Sequence, residues 1–448
     1  MSGISFGGLA SGLDTKTIID QLMGLEARPK TLLENRRTVL NNTLSAFNGL
    51  RSLVSSLNTA ATSIGNPLDW SAVAATSSDA TRVAVRSGGT GTAGSVQISV
   101  TQLASQHAVA SWGQTDLSTT QVAAGPITLS TSAGSTVVAV GGGTLQEVID
   151  AINGQTAVGM RAAAVSTGSG QYKLQLTATN ASETITTDPL QFGPLGPAWG
   201  TVSNAQQAIV HVGDPLSGYD ITSNSNTITD IMPGVTIDLL QAGGTPITIT
   251  SKTDTAKIAD KVQAIVDAYN KVADDIKAKT KYDTTTKVAQ PLFGHSSVRT
   301  SQRALADSVI GVDPAMTPYT VGIETTRDGK LTFDRSKFIA ALESNPAGTQ
   351  NLMISTDPLS PGLVNRLKSA ITTVNDVGNG LLKSGQDAAD SQIKTLNDQI
   401  AAWDRRLVTR RSTLTRQFTQ LETALGQLQA RGNALAGALG GLQSNSSG

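Results

Sequence analysis

The strictest pattern in the sequence is an apolar residue at every seventh position near the C-terminus. The residues in this register are Ile393, Ile400, Leu407, Leu414, Leu421, Leu428, Leu435 and Leu442. A spacing of seven places these side chains in one stripe along a helix, as in coiled coils. Because such a stripe drifts by about 20° per heptad around a straight helix, it needs a partner that wraps around it or changes along its length. We therefore predict a long C-terminal helix that packs along one side.

The N-terminal end predicts helices that could supply this partner. Asp14 or Thr15 can cap a helix that ends near Ala27, and Pro29 permits the first turn of a second helix that ends near Gly65. We interpret the apolar positions of both ends as one assembly seam. Its residues are Leu22, Leu25, Leu33, Leu40, Phe47, Val54, Ile393, Ile400, Trp403, Leu407, Leu414, Leu421 and Leu428. The simplest partner for the C-terminal helix is the N-terminal helix of the same chain, with copies of the chain beyond it.

In the middle of the chain the apolar residues recur at a period of two. Runs such as Val96, Ile98 and Val100 predict β-strands that continue to about Thr250. The loop at residues 188–200 contains three prolines and three glycines, and it indicates a boundary between insert domains.

Helical patterns interrupt and follow these strands. Residues 144–153 predict one short amphipathic helix, and a longer helix is expected after Asp254, which can cap it. Asp328 and Gly329 predict a hairpin turn. The fold class that results is an α+β multidomain fold with a long coiled-coil-like helical base from both termini and β-rich insert domains.

A chain of 448 residues is too long for one core, since single cores stop growing near about 250 to 300 residues. We expect five parts. They are the N-terminal helices of the base (1–72), a first β-rich insert domain (73–111 and 204–252), a second, outer β-rich insert domain (112–203), a helical and hairpin part of the base (253–380) and a C-terminal coiled coil (381–448).

The residue types that most enzymes and metal sites use are sparse. The chain has no cysteine, which excludes disulfides, thiolate metal sites and cysteine nucleophiles. His107, His211 and His295 are far apart, and none has a spacing used for metals or general bases. We expect no catalytic residue, no cofactor and no metal, although a carboxylate pair formed only by the fold stays open.

Residues 89–94 match the glycine pattern of dinucleotide-binding loops. In those loops a helix follows and binds the pyrophosphate at its N-terminus. Here the alternation of Val96, Ile98 and Val100 predicts a strand instead. A hairpin or loop is therefore the better interpretation.

The charge pattern gives no general reason to bind nucleic acid or a membrane, because the formal net charge is zero. No stretch approaches the roughly 20 apolar residues that span a bilayer. The N-terminus lacks the pattern of a cleavable signal, so we expect a cytosolic protein or export without cleavage. The charged stretch at residues 404–416 is expected to be a solvated or salt-bridged coiled-coil face, with nucleic acid or an acidic partner as the alternative.

A series of short motifs, in the same order along the chain, resembles the flagellar hook-associated protein 2 family, the caps of flagellar filaments. The resembling segments are residues 8–14, 21–23, 25–26, Pro29, 100–104, 226–230, 233–236, 267–270, 322–323, 328–331 and the terminal heptads. Each motif is weak alone, but the series covers nearly the whole chain. Residues 112–199 contain few similar motifs.

The resemblance implies a secreted, non-enzymatic protein that forms a ring-like homo-oligomer at the distal tip of a bacterial flagellum. There it would promote polymerisation of exported flagellin and prevent its leakage. The implied partners are further copies of the chain, flagellin, the hook-filament junction proteins and an export chaperone at the C-terminal helix. The implied route is type III export to an extracellular location.

Two alternatives to the cap stay open at this point. Another axial flagellar component, such as flagellin or a hook-filament junction protein, would share coiled termini and β-rich inserts. A surface adhesin could bind host glycans through the inserts, which are rich in serine and threonine. An adhesive role could also coexist with capping.

Overall fold

The computed structural model describes residues 14–141, 143–310 and 317–444, and the chain divides into two compact units. The first unit, called the base, combines both ends of the chain, Met1–Gly65 and Lys261–Gly448. The second, called the insert unit, is Asn66–Asp260. The base is mainly helical and the insert unit mainly β-sheet, so the α+β multidomain fold predicted from the sequence is confirmed.

The described helices, in chain order, are α1 (Thr15–Glu26), α2 (Arg28–Thr62), α3 (Leu145–Asn153), α4 (Thr255–Lys279), α5 (Ser296–Val309), α6 (Arg335–Ser344), α7 (Pro346–Ile354), α8 (Leu363–Asn375) and α9 (Leu381–Ser444). The described strands are β1 (Val73–Ser77), β2 (Val83–Ser87), β3 (Gly94–Gln102), β4 (Ala108–Ser111), β5 (Ile127–Thr131), β6 (Gly134–Val138), β7 (Met160–Gly168), β8 (Gln171–Ala178), β9 (Trp199–Ser203), β10 (Ala208–Val212), β11 (Tyr219–Ser223), β12 (Thr227–Ile228), β13 (Val235–Leu239), β14 (Gly243–Thr253), β15 (Tyr282–Asp283), β16 (Val288–Ala289), β17 (Ile323–Thr325) and β18 (Leu331–Phe333).

The two N-terminal helices of the base begin where the sequence predicts. The Asp14 side chain accepts a hydrogen bond from the backbone N–H of Thr17 at 3.0 Å, which satisfies one free donor of the first turn of α1. Pro29 lies in the first turn of α2, where its missing N–H and its fixed φ are tolerated.

Helices α2 and α9 run antiparallel along one another. Arg37 of α2 donates a hydrogen bond to Asn397 of α9, and Arg51 donates one to Gln386. Higher residue numbers on α2 therefore lie opposite lower residue numbers on α9. Beyond Leu40, α2 buries an apolar face. Its fully buried members include Phe47, Leu50, Val54, Leu57 and Ala61. Helices α5 and α8 complete this part of the core.

The predicted hairpin of the base is confirmed. Strands β17 and β18 pair antiparallel, with Ile323 opposite Phe333. Gly329 has a φ of 77°, a left-handed conformation that glycine adopts without strain. Asn270 of α4 fixes the hairpin, because its side chain both accepts from and donates to the backbone of Leu331 at 2.8 Å.

The insert unit contains two hydrophobic clusters, each covered by its own sheets. The first lies on a five-stranded sheet of order β1-β14-β3-β10-β11 and a three-stranded sheet of order β12-β13-β2. The second lies on a four-stranded sheet of order β7-β8-β4-β9 with helix α3 and the β5–β6 hairpin. The predicted helix α3 begins with a capping box between Thr144 and Glu147.

The loop at residues 188–200, whose prolines and glycines predict a boundary between insert domains, contributes side chains to the second cluster. Phe192 and Leu195 are buried in the second cluster, and Trp199 packs its ring edge-on against Phe192 with centroids 5.4 Å apart. The apolar side chains of this loop therefore fill a core.

Strand β4 pairs with β8 and β9, so it is part of the four-stranded sheet, and Val109 lies in the second cluster. We propose that the outer insert domain begins before β4, near residues 103–107, and ends near residue 203. The first insert domain would then consist of the chain on either side of it.

Candidate assembly surface

The seam residues nearest the middle of the base are in its core. Phe47 and Val54 are fully buried. The ring of Phe47 meets the His295 ring edge-on, with centroids 5.3 Å apart and planes at 89°. A Cβ added to Gly385 of α9 would lie 2.5 Å from Cζ of Phe47, so the absence of a side chain at Gly385 permits the close approach of α9 to α2.

Further along the paired helices the seam is partly covered. Leu33 and Leu40 of α2 are half-buried, as are three seam residues of α9. These three are Ile393, Trp403 and Leu407. Ile400 and Leu414 are buried, with 6% and 7% of their surface exposed. This section of the seam packs within the chain.

At its far end the seam is exposed to solvent. Leu421 is 48% exposed and Leu428 is 63% exposed, in the same register as the buried Leu414. On α1, Leu22 and Leu25 are exposed at 39% and 54%. The burial of the heptad stripe therefore changes between Leu414 and Leu421, although the sequence pattern does not.

A row of ionic contacts borders the packed section of the seam. Lys30 Nζ lies 2.6 Å from Asp404 Oδ1 and 3.5 Å from Glu34 Oε1. Arg410 Nε lies 3.2 Å from Glu26 Oε1. Exposed ion pairs contribute at most about 1 kcal/mol each, so this row mainly fixes which residues of the two helices face each other.

The ionic row also shifts the pKa values of Lys30 and Asp20. The hydrogen bond to Asp404 raises the pKa of Lys30, with the charges of Asp404 and Glu34 adding to it. The pKa of Asp20 is lowered by a hydrogen bond from Lys16 and further by Arg411, with which Asp20 forms an ion pair across to α9. These pairings therefore favour the charged forms of Lys30 and Asp20.

The charged stretch of α9 is thus a salt-bridged helix face, as the sequence analysis favoured. Asp404, Arg410 and Arg411 contact α1 or α2, while Arg406 stacks over the ring of Trp403, 4.5 Å from its centroid. These side chains are used within the chain.

A polar network joins the start of α9 to α2 and α8. Arg51 Nε donates to Asn375 Oδ1 at 2.9 Å, and its Nη1 donates to Gln386 Oε1 at 2.6 Å. The buried Gln386 in turn donates to Asn48. Because each buried amide has a partner, the network stabilises one alignment of α2 and α9 without an unsatisfied group.

The three histidines have separate structural contacts. His107 Nδ1 accepts a hydrogen bond from the backbone N–H of Ile185 at 2.9 Å. His211 contacts Asp220 and the carbonyl oxygen of Asp214, and His295 packs on Phe47. In the described ranges, no group of three or more His, Asp or Glu side chains is arranged to hold a metal ion.

The glycine-rich loop leads into a strand. Strand β3 begins at Gly94, and Gly91 lies so close to Pro233 that an added Cβ would be 2.3 Å from the Pro233 carbonyl oxygen. In a nucleotide-binding loop, the backbone at these positions faces the ligand. Here it packs against the rest of the insert unit. Within the part of the chain that the structure describes, no helix is both long enough and apolar enough to cross a membrane.

Sequence reasoning missed two exposed apolar residues of α2, Leu32 and Val39. Leu25, Leu32 and Val39 follow one another at intervals of seven residues. This spacing could have revealed them, but the stripe through Leu33 and Leu40 was preferred because it continues to Phe47 and Val54.

A base of paired terminal helices with a heptad stripe, together with β-rich inserts, is the architecture of a structural protein with coiled-coil ends. The family described as flagellar hook-associated protein 2 C-terminus matches residues 205–430, and the corresponding N-terminus family matches residues 11–107. The chain belongs to the flagellar hook-associated protein 2 family, the cap proteins of the flagellar filament. Residues 108–204, which include the second cluster, lie outside both matches.

Individual relatives resemble nearly the full chain. It is 26% identical to flagellar hook-associated protein 2 of Escherichia coli (strain K12) over 97% of this chain and 98% of that one. It is 28% identical to the A-type flagellar hook-associated protein 2 of Pseudomonas aeruginosa, with 97% of each covered. The crystal structure of the D1-D2-D3 domains of the E. coli flagellar cap protein FliD is similar with a TM-score of 0.58 and 26% identity, covering 77% of this chain and 99% of that one.

Proposed function

We propose that this chain forms a ring-like homo-oligomer at the distal tip of a bacterial flagellum. There it promotes the polymerisation of exported flagellin, prevents the escape of unpolymerised subunits and is needed for filament elongation and motility. The family membership supports capping as the role, and the relatives named above are structural cap proteins of flagella.

The observation that carries the proposal is the change of burial along one heptad register. Leu414 is buried within the chain, whereas Leu421 and Leu428 continue the same stripe in solvent. A fully buried leucine contributes about 1.5 to 3 kcal/mol relative to an exposed one. Packing against other copies of the chain would gain this free energy, so the exposed section of the seam is the proposed contact between subunits.

We also propose where the protein acts and what else it contacts. It is exported without cleavage of a signal and is extracellular in the assembled filament. Its partners are flagellin, the hook-filament junction proteins and an export chaperone that binds α9 before secretion. Its action is entirely non-covalent and requires no cofactor.

A deletion strain tests the proposed role directly. Without the gene, cells should lose motility and release unpolymerised flagellin into the medium. Expression of the wild-type chain should restore filaments, and a chain with Leu421→Asp and Leu428→Asp should not. Both residues are exposed, so the two substitutions should leave the fold of the monomer unchanged.

Normal filaments and normal motility in the deletion strain would contradict the proposal. Secretion of the Leu421→Asp/Leu428→Asp chain must be measured in the same experiment. If the chain stays in the cell, the missing filaments reflect a defect in export and not in assembly. The matched control is Val408→Asp, an exposed apolar position of α9 that is outside the heptad register.

A further inference from the structure

The end of α1 and the first part of α2 carry an apolar stripe that is exposed among the described residues. Leu32 is 70% exposed and Val39 is 61% exposed, and Leu25 precedes them in the same spacing of seven. We call these three residues the α2 stripe. Leu25 also belongs to the seam, but Leu32 and Val39 differ from the α2 members of the seam, Leu33 and Leu40, which are half-buried.

The α2 stripe continues a face of α2 that is buried further along the helix. Leu32 and Leu50 are 18 residues apart, and so are Val39 and Leu57. Eighteen residues are about five full turns at 3.6 residues per turn, so the members of each pair point in the same direction. Leu50 and Leu57 are fully buried. Packing partners cover this face in the middle of the base, but not at Leu32 and Val39.

Beside the α2 stripe, a shallow groove separates α2 from α9. Its volume is 310 Å³. Arg36 and Leu40 line it from α2, and the α9 side is mostly uncharged. The α9 residues in the lining are Ser391, Gln392, Thr395, Leu396 and Gln399. The stripe and the groove together offer an apolar surface with hydrogen-bonding groups along one edge.

The charges that border the α2 stripe are basic. Arg28 and Arg36 lie within one turn of Leu32, and neither has an ion-pair partner among the described residues. The nearby carboxylates of Glu26 and Glu34 are paired with Arg410 and Lys30. A ligand on this surface would therefore meet unpaired positive charge on both sides of an apolar strip.

We propose that the α2 stripe and the adjoining groove bind an amphipathic helix of another protein. The occupant carries aliphatic side chains at heptad spacing and carboxylates along both borders. Its apolar side chains cover Leu25, Leu32 and Val39, in the manner of a helix seated in a groove. Its carboxylates accept charge-assisted hydrogen bonds from Arg28 and Arg36.

The charges of the chain make a second copy the poorer occupant. Its own exposed heptad residues, Leu421, Leu428 and Leu435, are accompanied by two arginines, Arg416 and Arg431, and by Glu422. A tail with this excess of positive charge would be repelled by Arg28 and Arg36. This surface therefore has a function beyond the subunit contact proposed for the seam.

Two synthetic helical peptides test the proposal on the full chain. Both have leucine at heptad spacing, and their border positions are glutamate in one peptide and lysine in the other. By fluorescence anisotropy at low salt, the glutamate peptide should bind at least about tenfold more tightly, and added salt should reduce the difference because it screens exposed charges. Equal affinity for both peptides, or no binding of either, would overturn the proposal.

Paired variants locate the contact. The double substitution Leu32→Ser and Val39→Ser should weaken binding of the glutamate peptide by about tenfold or more through the loss of apolar contact. The matched control Val408→Ser removes an equally exposed valine of α9 and should have no effect. Arg28→Glu with Arg36→Glu should reverse the preference in favour of the lysine peptide.

Three further results would decide against this occupant. The first is equal weakening by the Val408→Ser control, which would mean that the peptide binds elsewhere. The second is an unchanged preference in the Arg28→Glu/Arg36→Glu chain. The third is self-association of the wild-type chain that Leu32→Ser/Val39→Ser abolishes while neither peptide binds, which would assign the stripe to a second copy.

Discussion

At the scale of single residues, α2 and α9 come close together at Gly385, which has no side chain. Gly385 lies against the ring of Phe47, and an added Cβ would be 2.5 Å from Cζ and 2.7 Å from Cε1 of that ring. The same Cβ would lie 3.0 Å from Oγ of Ser297 in α5. Three helices therefore meet where only a glycine fits.

We predict that Gly385→Ala lowers the free energy of unfolding. Overpacking a rigid core costs about 1 to 3 kcal/mol, and the gain in helix propensity from glycine to alanine offsets about 1 kcal/mol of it. Chemical denaturation should therefore show a net loss of up to about 2 kcal/mol. Gly432→Ala in the same helix is the control, because a Cβ there meets nothing within 4 Å. A more stable Gly385→Ala chain would contradict the close contact.

His211 makes the β10–β11 hairpin sensitive to pH. Its Nε2 lies 2.9 Å from the carbonyl oxygen of Asp214, and its Nδ1 lies 2.8 Å from Oδ1 of Asp220. The contact with the Asp214 backbone, followed by that with Asp220, raises the pKa of His211 above 6.5. The charged histidine is thus stabilised more in the folded chain than in the unfolded chain.

The sign of this linkage predicts the direction of the pH dependence. The contribution of His211 to stability is fully present below its unfolded pKa and is lost as the pH rises through its raised, folded pKa. Denaturation of the full chain should give a lower free energy of unfolding at about pH 9 than at about pH 6, and this decrease should be smaller in the His211→Gln variant. The same decrease in both chains would mean that other groups cause it.

At the scale of elements, α9 has two sections with one sequence pattern. As far as Leu414 the heptad residues are buried or half-buried, whereas Leu421, Leu428 and Leu435 are exposed. The row of pairs that includes Lys30 with Asp404 and Asp20 with Arg411 borders only the packed section. Loss of the apolar packing should therefore separate α1 from α9 even if the ionic row remains.

We predict that Leu407→Asp and Leu414→Asp detach α1. Leucine-to-alanine changes in cores cost about 2 to 5 kcal/mol, and a buried carboxylate adds a desolvation cost. Hydrogen exchange of the amides in Thr15–Glu26 should become faster, and the oligomer should weaken. The control is Val408→Asp, one residue from Leu407 and 70% exposed. Unchanged exchange in α1 would place its contact with α9 elsewhere.

The local elements could be predicted from the sequence because their signals are local. Asp14 caps α1 through its own side chain, and Asp328-Gly329 sets its hairpin within four residues. The pairing of β4 with β8 and β9 could not be predicted, since these strands are distant in sequence and their alternation does not identify the neighbour. The prolines and glycines of residues 188–200 do not indicate that Phe192 and Leu195 fill a core, because this depends on residues that are distant in sequence.

The candidate surface was predictable only as a pattern. The heptads identify Leu414 and Leu428 equally, although the first is buried and the second is exposed, because burial depends on which other elements lie against each position. The α2 stripe was missed for the related reason that two adjacent registers of α2 are both apolar, at Leu32 with Val39 and at Leu33 with Leu40. Which register meets α9 depends on the alignment of the two helices.

At the scale of the whole molecule, the chain combines internal packing with an apolar stripe on α9 that is exposed in the part of the chain that the structure describes. Leu421, Leu428 and Leu435 are all exposed on α9. An isolated helix in water gains nothing from such a stripe, since most helical stability in proteins comes from the packing of an apolar face. The stripe is therefore expected to matter for assembly and not for the fold of one subunit.

We predict that Leu421→Ser, Leu428→Ser and Leu435→Ser together abolish oligomers and leave the monomer folded. Substitutions at exposed positions usually change stability by less than about 0.5 kcal/mol, so the midpoint of denaturation should be the same as in the wild type. The control replaces three exposed leucines of the insert unit, Leu190, Leu216 and Leu240, with serine. In sedimentation velocity the control should assemble like the wild type, whereas the α9 variant should sediment as a monomer. Equal oligomers in both variants would show that the subunit contact lies outside this stripe.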